Sequence, residues 1–181
     1  MESMNKAIFL DRDGTLNPDP GYISNPDDYE LFDGVKEALA RLQKAGYLLI
    51  LITNQSGISR GLFTEKDLEA VHEKMKRLLK SGGVTIDAIY YCPHHPDHPY
   101  NGISECNCRK PKPGMILKAI SDYKIDKEHS FMVGDRTSDI KIGLASGVSP
   151  ICIAEKPFDG FEKIPTFENL SKAVDFILGN L

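Results

Sequence analysis

No apolar stretch in this sequence approaches the roughly 20 residues that span a bilayer, and the N-terminus carries no signal-peptide core. These absences predict a cytoplasmic protein with no membrane partner. A basic excess is missing too: Lys and Arg total 22 against 26 Asp and Glu, and a net charge of -4 provides no basic face for nucleic acid. The same modest charge permits a monomer. Internal repeats, low-complexity tracts and linkers are lacking, and 181 residues suffice for one sizeable core but not two. Residues 1–181 are therefore read as one domain. Cysteine is sparse, and three of the four crowd into positions 92–108 beside histidines. In a reducing compartment that crowding favours metal over disulfide.

What remains is an ordinary globular balance, laid out in an alternating pattern. Apolar, β-rich runs recur at 7–10, 47–53, 88–92, 130–133 and 149–154, with helix-like segments between several of them. This predicts an α/β fold with a doubly wound, three-layer parallel sheet. Val35, Leu39, Leu42 and Ala45 recur at helical spacing before Gly46, where a helix would stop. Thr64 is a candidate N-cap with Asp67 three residues on, ahead of the stripe Leu68, Val71, Met75, Leu78 and Leu79. Further helices are expected at 113–123, 136–146 and 168–178, with Lys172 and Asp175 on solvated faces. Residues 14–33 and 93–112 hold too many turn formers for either element. Loops this long in a compact domain are usually functional.

The first strand ends in Asp11-Arg12-Asp13-Gly14-Thr15. Side chains alternate along a strand, so Asp11 and Asp13 start on one side: one can attack phosphorus while the other handles a proton. Two carboxylates so close repel each other unless a cation relieves them, and magnesium is the obvious one. Thr53-Asn54-Gln55-Ser56-Gly57 closes the second strand with a hydroxyl, amides and backbone N–H groups able to hold phosphate oxygens, although Asn and Ser also suit plain turns. Arg109-Lys110-Pro111-Lys112 sets cations ahead of a helix whose first turn suits Pro113; they balance phosphate charge or form a solvated patch. Asp135, after the fourth strand, can ligate the same ion as Asp11. Asp139, one helical turn later, can bind the ion's water, Arg136 or the helix N-terminus. Cys92-x-His94 and Cys106-x-Cys108 suit a closed tetrahedral zinc site, with disulfide pairing as the alternative and His95 or His98 as substitutes for His94. Cys152, in a predicted strand, reads as a buried small hydrophobe.

Asp11-x-Asp13-Gly14-Thr15, Thr53-Asn54, Lys110-Pro111 and Gly134-Asp135-x-x-x-Asp139 resemble the four motifs of the haloacid dehalogenase-like phosphatases. Within that superfamily, Thr53-Asn54-Gln55-Ser56-Gly57-Ile58 with Arg60-Gly61, Cys92-Pro93-His94-His95-Pro96 and Cys106-x-Cys108-Arg109-Lys110-Pro111 resemble the D-glycero-D-manno-heptose 1,7-bisphosphate 7-phosphatases. The resemblance implies a Rossmannoid fold with a zinc-binding loop. Only ~20 residues separate Asp13 from the first helix, which leaves room for a loop and not for a cap domain. By the same resemblance, Asp11 is the nucleophile that forms an aspartyl-phosphate, and Asp13 is the general acid and then the base. Thr53 and Lys110 hold the phosphoryl group, and Asn54, Gln55, Arg109 and Arg136 contact substrate. Magnesium lies between the carboxylates of Asp11 and Asp135 and the carbonyl of Asp13; zinc is held by Cys92, His94, Cys106 and Cys108. The implied substrate is a sugar bisphosphate on the way to lipopolysaccharide heptose. Arg136 stands where those enzymes commonly carry Lys, as in the related histidinol-phosphate phosphatases, which keeps histidinol phosphate as an alternative. A zinc-stabilised binding protein without catalysis is the reading from a different class.

Overall fold

The computed structural model describes residues 4–179, so the first three and last two residues of the predicted 1–181 domain lie outside it. In chain order the elements are β1 (Lys6–Leu10), α1 (Val35–Lys44), β2 (Tyr47–Asn54), α2 (Glu65–Lys80), β3 (Ala88–Cys92), α3 (Gly114–Tyr123), β4 (Phe131–Gly134), α4 (Thr137–Ser146), β5 (Ser149–Ile153), β6 (Thr166–Phe167) and α5 (Leu170–Ile177). The strands form one parallel sheet in the order β3-β2-β1-β4-β5-β6. Central parallel strands bury both faces and need no polar alternation, which is why β1 and β2 read as unbroken apolar runs. Along β1, Ile8 and Leu10 join Leu39 and Leu42 of α1, Val71 and Met75 of α2 and Val174 of α5 in one core. Ala7 and Phe9 meet Ile116 of α3 and Ile142 of α4 in the other. The doubly wound, three-layer expectation holds.

The order of the strands places the site. From β1 the chain runs outward through β2 to β3, then returns to β4 on the other flank of β1. The connections leaving β1 and β4 therefore diverge, and a crevice opens beyond their carboxyl ends. Residues 14–33 carry only a short 3-10 turn, Pro26–Asp28, and 93–112 only isolated bridges, so both predicted loops are loops and no cap domain is inserted.

Local differences from the sequence expectation have simple causes. β6, two residues long, is too short to leave a period-two signal. Pro113 stands one position ahead of α3, at its N-cap, and not within the first turn. Asp175 is more than solvated surface: it accepts from Arg41 at 2.7 Å and ties α5 to α1. Cys152 is fully buried in β5, as expected of a small hydrophobe. Among the described residues no helix is long and apolar enough to cross a membrane.

At the start of α2 the expected cap is a complete reciprocal box. The Asp67 N–H donates to Thr64 Oγ1 at 3.2 Å, and the Thr64 N–H donates to Asp67 Oδ2 at 2.8 Å. Asp serves here because its shorter side chain still reaches back to the N-cap amide. Replacing Thr64 by Ala should cost about 1 kcal/mol and lower the melting temperature by roughly 2–4 °C, with activity per folded molecule unchanged; an unaltered melting curve would show that the box contributes nothing.

Candidate active site and metal centres

Asp11 leaves β1 directly into the crevice, and its backbone N–H donates to Val133 O of β4 at 2.9 Å. Its carboxylate accepts from Lys110 Nζ at 2.8 Å; the same ammonium donates to Asp139 Oδ1 at 2.6 Å and to Ile52 O at 3.0 Å. Lys110 and both carboxylates are buried. Burial works against the ammonium, but Asp11 and Asp139 outweigh it and hold the Lys110 pKa above its ordinary value. For Asp11 burial wins: its carboxyl sits well above the usual range despite Lys110, and Asp139 and Asp135 push it further. Asp135 is raised by burial and by Asp139. One ammonium among three carboxylates leaves the cluster short of positive charge.

The ligand chemistry fits a hard divalent cation. Oxygens of Asp11, Asp135 and Asp139 lie within 4.8 Å of one another. Asp135 Oδ1 is buried and receives no hydrogen bond, which is costly for a carboxylate oxygen unless a cation takes it. Asp139 is already committed: besides Lys110, it accepts from the Arg136 N–H at 3.0 Å at the start of α4. Its position is that of a Lys110 partner and a helix cap. Two glycines make the cluster possible. A Cβ on Gly14 would fall 2.1 Å from Asp135 Oδ2, and one on Gly134 would fall 2.3 Å from Asp139 Cγ.

Asp13 is held differently. Arg12 donates to both its oxygens, from Nε at 3.0 Å and Nη2 at 2.9 Å, while Asn17 Nδ2 adds a bond at 2.9 Å and Gln55 Nε2 one at 3.0 Å. Burial alone would raise its pKa, but the Arg12 charge and these hydrogen bonds bring it below the ordinary carboxylate value. Gln55 Nε2 also donates to Thr53 Oγ1 at 2.9 Å, which leaves the threonine O–H free to donate into the cavity. Sequence reading missed Arg12, which is out of phase with the two aspartates, and Asn17, which returns to Asp13 only through the turn at Gly14.

The remaining candidates line one open cavity of ≈ 270 Å³ with Asp11, Asp13 and Thr53. Asn54 reaches its wall and also grips the Lys110 peptide: Nδ2 donates to Lys110 O at 3.2 Å, and Oδ1 accepts from Lys110 N at 3.0 Å. The geometry makes it a clamp between β2 and the basic loop. Arg109 also lines the cavity, its Nη1 donating to His94 O at 3.1 Å. Arg136 pairs with Asp19 of the 14–33 loop, a residue the sequence did not single out.

Cys92, His94, Cys106 and Cys108 bring their ligand atoms within 4.8 Å of one another. Cys92 Sγ lies 3.6 Å from both Cys106 Sγ and His94 Nδ1, close to the ~3.8 Å edge of a tetrahedron with Zn–S bonds of about 2.3 Å. Cys108 Sγ is 2.9 Å from Cys92 Sγ, well beyond the ~2.05 Å of a disulfide. All four cysteines are free. His95 and His98 do not substitute for His94, because both Nε2 atoms face Arg60 at 3.0 Å.

A family model described as polynucleotide kinase 3 phosphatase matches residues 6–157. A D-glycero-beta-D-manno-heptose-1,7-bisphosphate 7-phosphatase from Haemophilus influenzae is 51% identical over 145 residues, 80% of this chain and 79% of that protein. The chain belongs to the D-glycero-D-manno-heptose 1,7-bisphosphate 7-phosphatase family. A family protein from Escherichia coli K12 extends the match to 97% of this chain and 89% of its own length at 43% identity. The crystal structure of a family protein from B. bronchiseptica, D,D-heptose 1.7-bisphosphate phosphatase complexed with magnesium and phosphate, aligns with a TM-score of 0.84 at 34% identity, covering 97% of this chain and 99% of that one. Membership makes the chain a phosphatase with the haloacid dehalogenase-like fold.

Lys110→Met keeps the bulk but strands Asp11 and Asp139 without their cation. We expect a loss of about 3–5 kcal/mol in urea unfolding; an unchanged midpoint would show that the ammonium is not balancing these buried carboxylates.

Proposed function

We propose that this chain hydrolyses the 7-phosphate of D-glycero-D-manno-heptose 1,7-bisphosphate through an aspartyl-phosphate, in the supply of heptose for nucleotide activation. The observation that carries the reading is the cavity itself. Its floor holds a carboxylate beside a buried ammonium, Asp13 lies next to that carboxylate, and the guanidinium of Arg109, the residue before that ammonium, lines the same cavity. An Asp11 oxygen attacks phosphorus in line with the ester oxygen. The Lys110 ammonium and the Thr53 hydroxyl hold the transferring oxygens as charge spreads over them. The leaving group is a primary alkoxide, so it needs a proton as the P–O bond breaks, and Asp13 donates it. Asp13 then takes a proton from the water that attacks the aspartyl-phosphate, which frees phosphate and restores Asp11.

Asp11, Asp135 and the Asp13 carbonyl would hold magnesium, which would supply the positive charge that lets an anionic nucleophile meet an anionic phosphate. Zinc in the Cys92, His94, Cys106 and Cys108 site leaves no open coordination position, so its part is to fix the loop. That loop presents Arg109, whose planar fork suits the second phosphate bidentately. Gln55 works here by bridging Thr53 and Asp13, and Arg136 reaches substrate once Asp19 yields it.

Asp11→Asn should abolish phosphate release from the heptose bisphosphate with magnesium present, whereas near-full activity would sink the aspartyl-phosphate mechanism. The substrate assignment is tested by kcat/KM on the heptose bisphosphate and on histidinol phosphate: we expect the bisphosphate to win by at least about tenfold, roughly the 1.4 kcal/mol of one modest charge-assisted contact. A preference for histidinol phosphate would reverse the assignment, and no hydrolysis on a broad ester panel would favour the binding-protein reading. Elemental analysis of protein purified without chelator or oxidant should find about one zinc per chain; folded, zinc-free protein would refute the closed site.

A further inference from the structure

Arg12 has no exposed surface and sits directly behind the site, between the two aspartates in sequence. Two of its nitrogens, Nε and Nη2, are given to Asp13, and Nη1 lies 3.2 Å from Nε2 of His72. His72 belongs to α2, on the helix face that the sequence marks as apolar, and it is buried between Leu68, Val71 and Met75. A guanidinium has donors and no acceptor, so His72 Nε2 must accept, which fixes the neutral ring with its proton on Nδ1. Burial, followed by the Arg12 charge, lowers the His72 pKa to about 3, in keeping with a neutral ring. The ring is braced in turn by an edge-on contact with Tyr91 of β3, with centroids 6.4 Å apart.

We infer that His72 is a positioning residue for the phosphatase reaction: it fixes the plane of the Arg12 guanidinium and, through that rigid fork, the direction in which the Asp13 carboxyl faces the leaving group. A guanidinium is planar, so an anchor on Nη1 sets the tilt of the two N–H groups that grip Asp13. Asn17 and Gln55 add one bond to each Asp13 oxygen, yet neither binds both. The fork is thus the one partner that sets the carboxyl plane, and His72 is its anchor on the helix layer. Nothing about α2 touches the cavity directly. The inference rests on the proposed acid role of Asp13, and its test separates the two.

The experiment compares H72Q, which keeps an acceptor, with H72M, of similar length and without one. Both are assayed for kcat/KM on a primary alkyl phosphate that the wild-type protein turns over and on p-nitrophenyl phosphate. kcat/KM reports the first phosphoryl transfer. An alkoxide needs Asp13 to protonate it, whereas p-nitrophenolate leaves readily on its own. H72M should lose about tenfold on the alkyl ester and less than about threefold on the aryl ester, a fraction of what general acid catalysis supplies, and H72Q should stay within about threefold on both. Equal losses on the two esters, or no loss in folded H72M, would overturn the inference. If H72M does not fold, H72F, which preserves the contact with Tyr91, takes its place; failure of both to fold would assign His72 to stability and would also overturn it. Asp13→Asn is run alongside: equal losses on the two esters there would bring down the acid role of Asp13 and this inference with it, while a selective loss on the alkyl ester in Asp13→Asn beside an unaffected H72M would remove the inference alone.

Discussion

Two buried carboxylates, Asp11 and Asp139, grip one buried ammonium at the carboxyl end of the sheet, with the half-buried Asp135 beside them, and the rest of the fold is arranged around that imbalance. Lys110 comes from a loop far along the chain, yet Asn54 at the end of β2 grips its peptide from both sides. Asp139 comes from the first turn of α4 and holds the other side of the same ammonium while capping its own helix. Asp11 and Asp135 are delivered by adjacent strands. Removing any one of these supports would leave a charge in low dielectric without a partner, where an unpaired ion costs several kcal/mol. The shortage of positive charge that remains is what a divalent cation, and then a phosphate's retinue of cations, is suited to relieve.

A second, separate constraint shapes the far wall. Residues 93–112 contain no helix or strand, and a loop of that length would ordinarily sample many conformations. Four soft ligands drawn together from its two ends shorten it to a pair of small closed segments. Arg109 follows directly after Cys108 and donates to the carbonyl of His94, so its place on the cavity wall is tied to the packing of these four residues. The division of labour is clear in charge terms: oxygen ligands gather where phosphate chemistry happens, and sulfur ligands gather where only shape is needed.

Much of this could be read from the chain because the residues concerned stand in register with their elements. The paired aspartates end an apolar strand, Thr53 and Asn54 end the next, Asp135 ends the fourth, and the Cys-x-His and Cys-x-Cys pairs bracket a loop. The helices were legible where an apolar stripe met a cap, as at Thr64 and Asp67. What escaped was anything whose role depends on a partner distant in sequence. Arg12 stands between the two aspartates with no local sign of its partner, and full burial turns its fork onto Asp13. His72 falls at a stripe position of α2, where a polar ring on an apolar face is the available signal. Asp139 was open between water, arginine and helix cap because nothing in its neighbourhood names Lys110, 29 positions away. Asn54 lines the cavity as its company suggests, but its grip on the Lys110 peptide depends on a partner 56 positions away that its neighbourhood does not name.

The missing cap has its own consequence. With two short walls and no domain folded over it, the cavity stands open among the described residues. Bulk water meanwhile reaches the cavity from above until a sugar phosphate fills it, and the incoming molecule itself becomes the roof. Span matters on such a scaffold: Asp11 and the guanidinium of Arg109 line one open cavity, so a ligand long enough to touch both would be held at two points.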